Sequence, residues 1–207
     1  MRKSKMFLIP VICAISGALL AGVLNISGTL SYMTDKDDAT NITTIGENEI
    51  EIKERFIPPD ELVPGENAYE KDIQILNTGD IPCYVRVFVD FSDNDVRNAS
   101  TLSSDGTTYY SMSEFKNHLP SGWAYIGDAG NALSPYFYYT SAIEPGESTN
   151  SLVKMIKTTF KNKEAIEDYD VLVSAESVQV LDKNGDPFNG DNAWQQAWQE
   201  YLERGEE

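Results

Sequence analysis

The nine residues Cys83 to Phe91, CYVRVFVDF, constrain this chain more than any other stretch. Side chains of an extended strand point alternately to its two faces. Val85, Val87, Val89 and Phe91 therefore share one side, and Tyr84, Arg86, Phe88 and Asp90 the other. Bulk on both sides needs cover on both sides, so the stretch reads as a central strand.

Other strand patterns surround it. Ile50 and Ile52 alternate with Glu49, Glu51 and Lys53, the pattern of a half-buried strand. Ile73 and Ile75 mark a strand ended by Asn77-Thr78-Gly79. GWAYIG, PYFYYTSAI, STNSLVKMIKTTF and DYDVLVSAESVQVL read as further strands, the last carrying Val171, Val173 and Ala175 and then Val178 and Val180. Ile42 and Ile45, among threonines, suggest a short extended piece ahead of them all. Residues 92–134 read as irregular, with one short helix in SMSEFKNHL capped by Ser111 or Ser113. KNKEAIED reads as a loop or a helical turn.

Many short strands joined by turns, without regular helices between them, point to an all-β antiparallel two-sheet sandwich. Pro64-Gly65 and Pro145-Gly146 stand in two similar stretches, LVPGENAYEKDIQI and IEPGESTNSLVKMI. In each, Pro presets φ at the second turn position and Gly supplies the positive φ of a type II turn before a strand. From Asp191 onward the period changes. Trp194, Trp198, Tyr201 and Leu202 stand at i, i+4, i+7 and i+8, the stripe of an amphipathic helix docked on its own domain, with Asp191 at the cap position. The expected organisation is a leader over 1–31, a sandwich over 32–190 and a helix over 191–207.

The leader reading rests on three parts. MRKSK is basic, the run from Met6 to Gly28 is apolar, and Thr29, Leu30 and Ser31 are small, large and small, which suits a signal peptidase cutting between Ser31 and Tyr32. A retained membrane anchor is the alternative, since the run is long enough to cross a bilayer of about 30 Å. Pro10, Gly17, Gly22, Gly28, Asn25 and Ser27 weaken such a span, and no basic cluster follows it. Beyond residue 31 the chain holds 13 of its 16 Lys and Arg and all 33 Asp and Glu, a net charge of −20. That surface repels nucleic acid and anionic headgroups, and leaves the membrane to be reached only through an uncleaved leader. With Cys13 in the leader, Cys83 is a lone thiol that cannot form an internal disulfide, and a buried, inert role is expected for it.

Catalytic constellations are scarce. His118 is the only histidine, and no H-E-x-x-H, Walker loop or G-x-G-x-x-G occurs. No catalytic residue and no bound cofactor is expected. The nearest approach to a metal site is Asp182, Asn184 and Asp186, spaced like the first three ligands of a calcium loop. Gly185 is misplaced for such a loop, Pro187 sits where its glycine belongs, and Ala193 stands where the twelfth-position Glu should be; Asn184-Gly185 also signals a hairpin turn. Asp90, Asp93 and Asp95 form a second, weaker oxygen-rich patch, and Asn41 and Asn98 begin formal glycosylation sequons.

The junction LSYMTDKDDATN, after an apolar run ending in Gly-Thr, resembles the start of TasA/camelysin-type proteins of Gram-positive bacteria, whose leaders are cut by the dedicated signal peptidase SipW. Gly28, Thr29, Tyr32, Thr34, Asp35, Ala39, Thr40 and Asn41 match that pattern, and Leu30, Ser31 and Met33 depart from it. LVPGENAYEKDIQILNTGDIPCYVRVFVDF is similar to the P-G…N-T-G…Y-V-R-V signature of the clostridial-type members, and YFYYTSAIEPGEST and VSAESVQV…NAWQQAW to their later segments. The resemblance implies a jelly-roll sandwich, export to the cell surface or matrix, and self-association or association with other matrix proteins. As for TasA itself, it implies fibres in which one subunit's N-terminal segment completes the next subunit's sheet; here that segment would present Ile42 and Ile45. Camelysin is named a metalloendopeptidase, but this chain lacks a recognisable zinc ligand set, so that activity is not carried over. A monomeric binding module using the aromatic strands of 123–139 is the alternative function.

Overall fold

A computed structural model of the protein describes residues 37–40 as backbone, and 48–127, 133, 135–166 and 169–204 in full. The described residues all fall within one compact unit, Met33–Glu207. In chain order the elements are β1 (Asp37–Thr40), β2 (Ile50–Ile57), β3 (Gly65–Asn77), β4 (Cys83–Phe91), α1 (Asn94–Ala99), β5 (Ser100–Ser103), β6 (Tyr110–Ser111), α2 (Met112–Phe115), β7 (Trp123–Ile126), β8 (Tyr136–Tyr139), β9 (Val153–Phe160), β10 (Val171–Gln179) and α3 (Ala193–Arg204). Sheet A has the order β1-β10-β4-β8-β7 and sheet B the order β2-β3-β9-β5-β6. The fold is an all-β sandwich, and β4 is central in sheet A. Every described pairing between strands is antiparallel except that of β1 with β10.

The alternation in the sequence sets which side chains meet between the sheets. Val85, Val87, Val89 and Phe91 of β4 and Val171, Val173 and Ala175 of β10 face Ile52, Ile73, Ile75, Val153 and Ile156 of sheet B in one buried cluster. A second buried cluster lies on the outer side of sheet A, where Tyr84, Tyr138 and Val178 are covered by Trp194, Ala197 and Trp198 of α3. That helix is why both faces of β4 carry bulk. Its Trp stripe docks on its own domain, and its first intrahelical bond runs from the Gln196 amide to the Asn192 carbonyl, so the cap position is Asn192, one residue beyond Asp191.

Both Pro-Gly turns have the positive φ expected of them, Gly65 at 100° and Gly146 at 80°. The second is closed by the Glu147 amide donating to the Glu144 carbonyl at 3.0 Å. The first is held instead by the side chain of buried Asn67, which accepts from the Val63 amide at 2.9 Å and donates to its carbonyl at 2.8 Å. Asn77, fully buried, ties the end of β3 to the second turn by donating to the Ile81 and Ile143 carbonyls. The region read as irregular holds three elements the periodicity did not mark: α1, whose Asp93 side chain accepts from the Val96 amide, β5, which pairs with β9, and the two-residue β6, which pairs with β5. Ser111 caps α2 in a capping box with Glu114.

Candidate functional site at the edge of sheet A

Sheet A ends, on the β10 side, in a strand from the start of the described chain. β1 runs parallel to β10 in the register Asp37↔Val173, Asp38↔Ser174, Ala39↔Ala175 and Thr40↔Glu176. A parallel ladder leaves each strand able to bond on both sides, so β10 is capped by β1 while its other side bonds β4. Because β10 extends to Gln179, Ser177, Val178 and Gln179 reach beyond the last β1 pair.

At that overhang lies a cavity of about 30 Å³, lined by Asn48, Ser177, Val178, Phe188, Ala197 and Tyr201 among others. Ser177 Oγ and Asn48 Oδ1 are buried there without a hydrogen-bond partner among the described residues. A space of this size holds about one water, which would satisfy both.

Two buried ion pairs flank this edge. On the inner side of sheet B, Lys71 of β3 contacts Glu54 of edge strand β2, with the two side chains only 2% and 6% exposed. The Lys71 ammonium also sits 5.0 Å over the Phe56 ring. On the outer side of sheet A, Arg86 pairs with Glu176, its Nε donating at 2.6 Å, and its guanidinium stacks 4.0 Å from the Tyr136 ring and 4.3 Å from that of Trp198. Burial pulls the Arg86 pKa down, but the Tyr138 hydroxyl and the Glu176 carboxylate outweigh it and the net shift is upward. Glu176 is the residue that β1 reaches with Thr40, so the edge strand and the α3 dock share one residue of β10.

Thr29, Ser31, Tyr32, Ile42 and Ile45 lie outside the described residues. Asp182, Asn184 and Asp186 lie in a hairpin turn. Asp182 Oδ1 accepts from the Asn184 amide at 2.8 Å and the Asp186 amide at 2.9 Å, and these backbone bonds, the one from Asp186 foremost, hold its carboxyl below the ordinary range. Leu181 bridges Pro187 across the turn. Among the described residues no group of three or more His, Cys, Asp and Glu stands close enough to hold a metal ion. Asp93 is spent on the α1 cap and Asp90 on Arg97, at 3.0 Å. His118 stacks on Tyr110, ring centroids 4.0 Å apart. Cys83 is buried, and burial pushes its thiol up to about 12. Trp123, Phe137 and Tyr138 of the aromatic strands are buried. No described helix is long and apolar enough to cross a membrane.

Sequence reasoning missed the parallel edge strand and both ion pairs. The inward direction of Lys71 was readable, since it shares parity with Tyr69, Ile73 and Ile75. No sequence signal marks the pairing of Asp37–Thr40 with β10.

No family model and no curated protein matches this chain. Among solved structures, it is similar to the ASH/PapD-like domain of human CEP192 (PapD-like domain 7), at 12% identity over 67% of this chain and 89% of that one, with a TM-score of 0.25.

Proposed function

We propose that this protein is an exported structural subunit of TasA type, found outside the cell or on its surface, which self-associates by lending its N-terminal segment to the β10 edge of another copy. The observation that carries the reading is the β1–β10 ladder: the segment just after the expected cleavage point is already a strand on an open edge. An edge strand can be replaced by the identical strand of a neighbour with the same register and the same backbone bonds. The overhang of β10 beyond Glu176 leaves backbone for a longer donated strand, since continuing the register sets residue 42 of the donor against Val178. The leader, while attached, would hold the segment back, and signal peptidase would free it.

The net charge of −20 opposes close approach of copies, so added salt promotes assembly by screening. The burial of Trp123, Phe137 and Tyr138 speaks for this reading over a binding module that uses the aromatic strands as its contact surface.

Electron microscopy of chains beginning at residue 32 and at residue 47 tests the reading. Fibres are expected from the first and none from the second. Equal polymerisation of both overturns strand donation.

A further inference from the structure

The two outer faces of the sandwich differ. Sheet A carries α3 on its outer side. On sheet B the outward positions of β2, β3 and β9 are exposed or half-exposed, and the charges are sorted by strand. Lys53 and Arg55 stand on β2, Glu66, Glu70 and Asp72 on β3, and Lys154 and Lys157 on β9. With Glu51 on β2, this face holds four basic and four acidic side chains and is neutral. The net charge of −20 carried beyond residue 31 therefore lies elsewhere on the molecule.

A neutral face on a strongly acidic molecule is where two copies can meet with the least repulsion, and sorted columns make it self-complementary. We propose that the outer face of sheet B docks against the same face of a second copy. A two-fold axis running along the strands between β3 and β9 sets β3 of each copy over β9 of the other, so acids lie over lysines on both sides. In that arrangement Asp72 faces Lys154 of the second copy, because the bulge after Glu70 brings Lys71 and Asp72 opposite Lys154 in the β3–β9 ladder. Glu66 and Glu70 flank the second copy's Lys157. Stacked sheets sit about 10 Å apart, within reach of paired lysine and carboxylate side chains. Ile57, 48% exposed at the end of β2, and exposed Ala68 add apolar surface. Arg55 and Lys157 already pair with Glu70 and Glu66 of their own chain, at 3.4 Å and 3.1 Å, which holds the columns in place.

This contact is independent of strand donation and has the opposite salt response. Attraction between charge columns weakens as salt rises, whereas fibre growth against net repulsion strengthens. Sedimentation velocity on the purified protein, from about 10 μM to about 1 mM, distinguishes them. A dimer is expected at about 0.05 M salt that dissociates at about 0.5 M. K154E/K157E and E70K/D72K, each folded by circular dichroism because all four positions point outward, are each expected to weaken dimerisation at least tenfold. An equimolar mixture of the two is expected to restore a dimer. A wild type that stays monomeric throughout, single variants that dimerise like wild type, or a mixture that fails to recover the dimer overturns the proposal. So does a monomeric wild type whose Lys154 and Lys157 instead bind heparin, which would assign the face to a polyanion. Loss of fibres in the chain starting at residue 47, with this dimer intact, leaves the docking face standing.

Discussion

Replacing Lys71 by Met tests whether the buried ion pair at the β2 edge governs stability as its burial implies. Lys71 and Glu54 are 2% and 6% exposed, so the substitution takes the ammonium away from a carboxylate in the interior. Breaking one partner of a buried pair costs about 3–5 kcal/mol, whereas replacing both with apolar groups of similar volume is neutral or stabilising by about 1–4 kcal/mol. For a domain of this size about 1 kcal/mol moves Tm by about 2–4 °C, so Lys71→Met lowers Tm by roughly 6–20 °C. Glu54→Leu takes the carboxylate away from a buried ammonium that also lies 5.0 Å over the Phe56 ring, and loses a similar amount. The double variant Glu54→Leu/Lys71→Met recovers part of the loss of the worse single variant. Urea melts of the four proteins give the coupling directly, since unchanged m-values certify the same unfolding reaction. Single variants within about 1 kcal/mol of wild type, or a double variant as weak as the worse single, would refute the reasoning.

Trp198→Ala, at a fully buried residue on the inner face of α3, costs about 3–5 kcal/mol and exposes the C-terminal helix to trypsin before the sandwich melts. Cys83 does not react with a thiol reagent in the native state at pH 8, because it is buried and its thiol ionises only near 12; reaction appears on adding denaturant. The same shift gives a pH slope. The unfolded thiol ionises in its ordinary range near 9 and the folded one near 12, so its share of stability is whole below pH 9 and is lost as pH rises between the two, and Cys83→Ala removes that part of the alkaline loss. Gly146→Val forces φ of 80° on a β-branched residue and costs about 1–2 kcal/mol in a melt, although the space around the position is open.

The strands legible in the sequence were those whose own side chains decide their environment. CYVRVFVDF buries both faces because it lies between two apolar layers, and the i, i+4, i+7 stripe of Trp194, Trp198 and Tyr201 announced the second of them. Ser100–Ser103 was invisible because three of its four residues are polar; it becomes a strand only by pairing with β9, where the Ser100 hydroxyl bonds that of Thr158 at 2.8 Å. Asn94–Ala99 is a helix of fewer than two turns, too short for a hydrophobic period and marked only by the Asp93 cap. At the candidate edge, the sequence placed an extended piece near Ile42 and Ile45, while the strand described is Asp37–Thr40. A run of Asp, Asp, Ala and Thr has little strand propensity of its own. What makes it a strand is the unpaired side of β10, a tertiary property that no local pattern records.

Inter-chain cross-linking tests strand donation most directly. Ala39 and Ala175 are partners in the β1–β10 register, and neighbouring parallel strands bring their Cα atoms within the span of a disulfide. One preparation carries Ala39→Cys, a second Ala175→Cys, both on a Cys83→Ala background, and the two are mixed under fibre-forming conditions and oxidised. The account predicts a covalent heterodimer on a non-reducing gel, formed only in the mixture. No link between the two singly substituted chains, with efficient closure inside one chain when both cysteines are present, would show that β1 stays on its own sheet and would contradict the account.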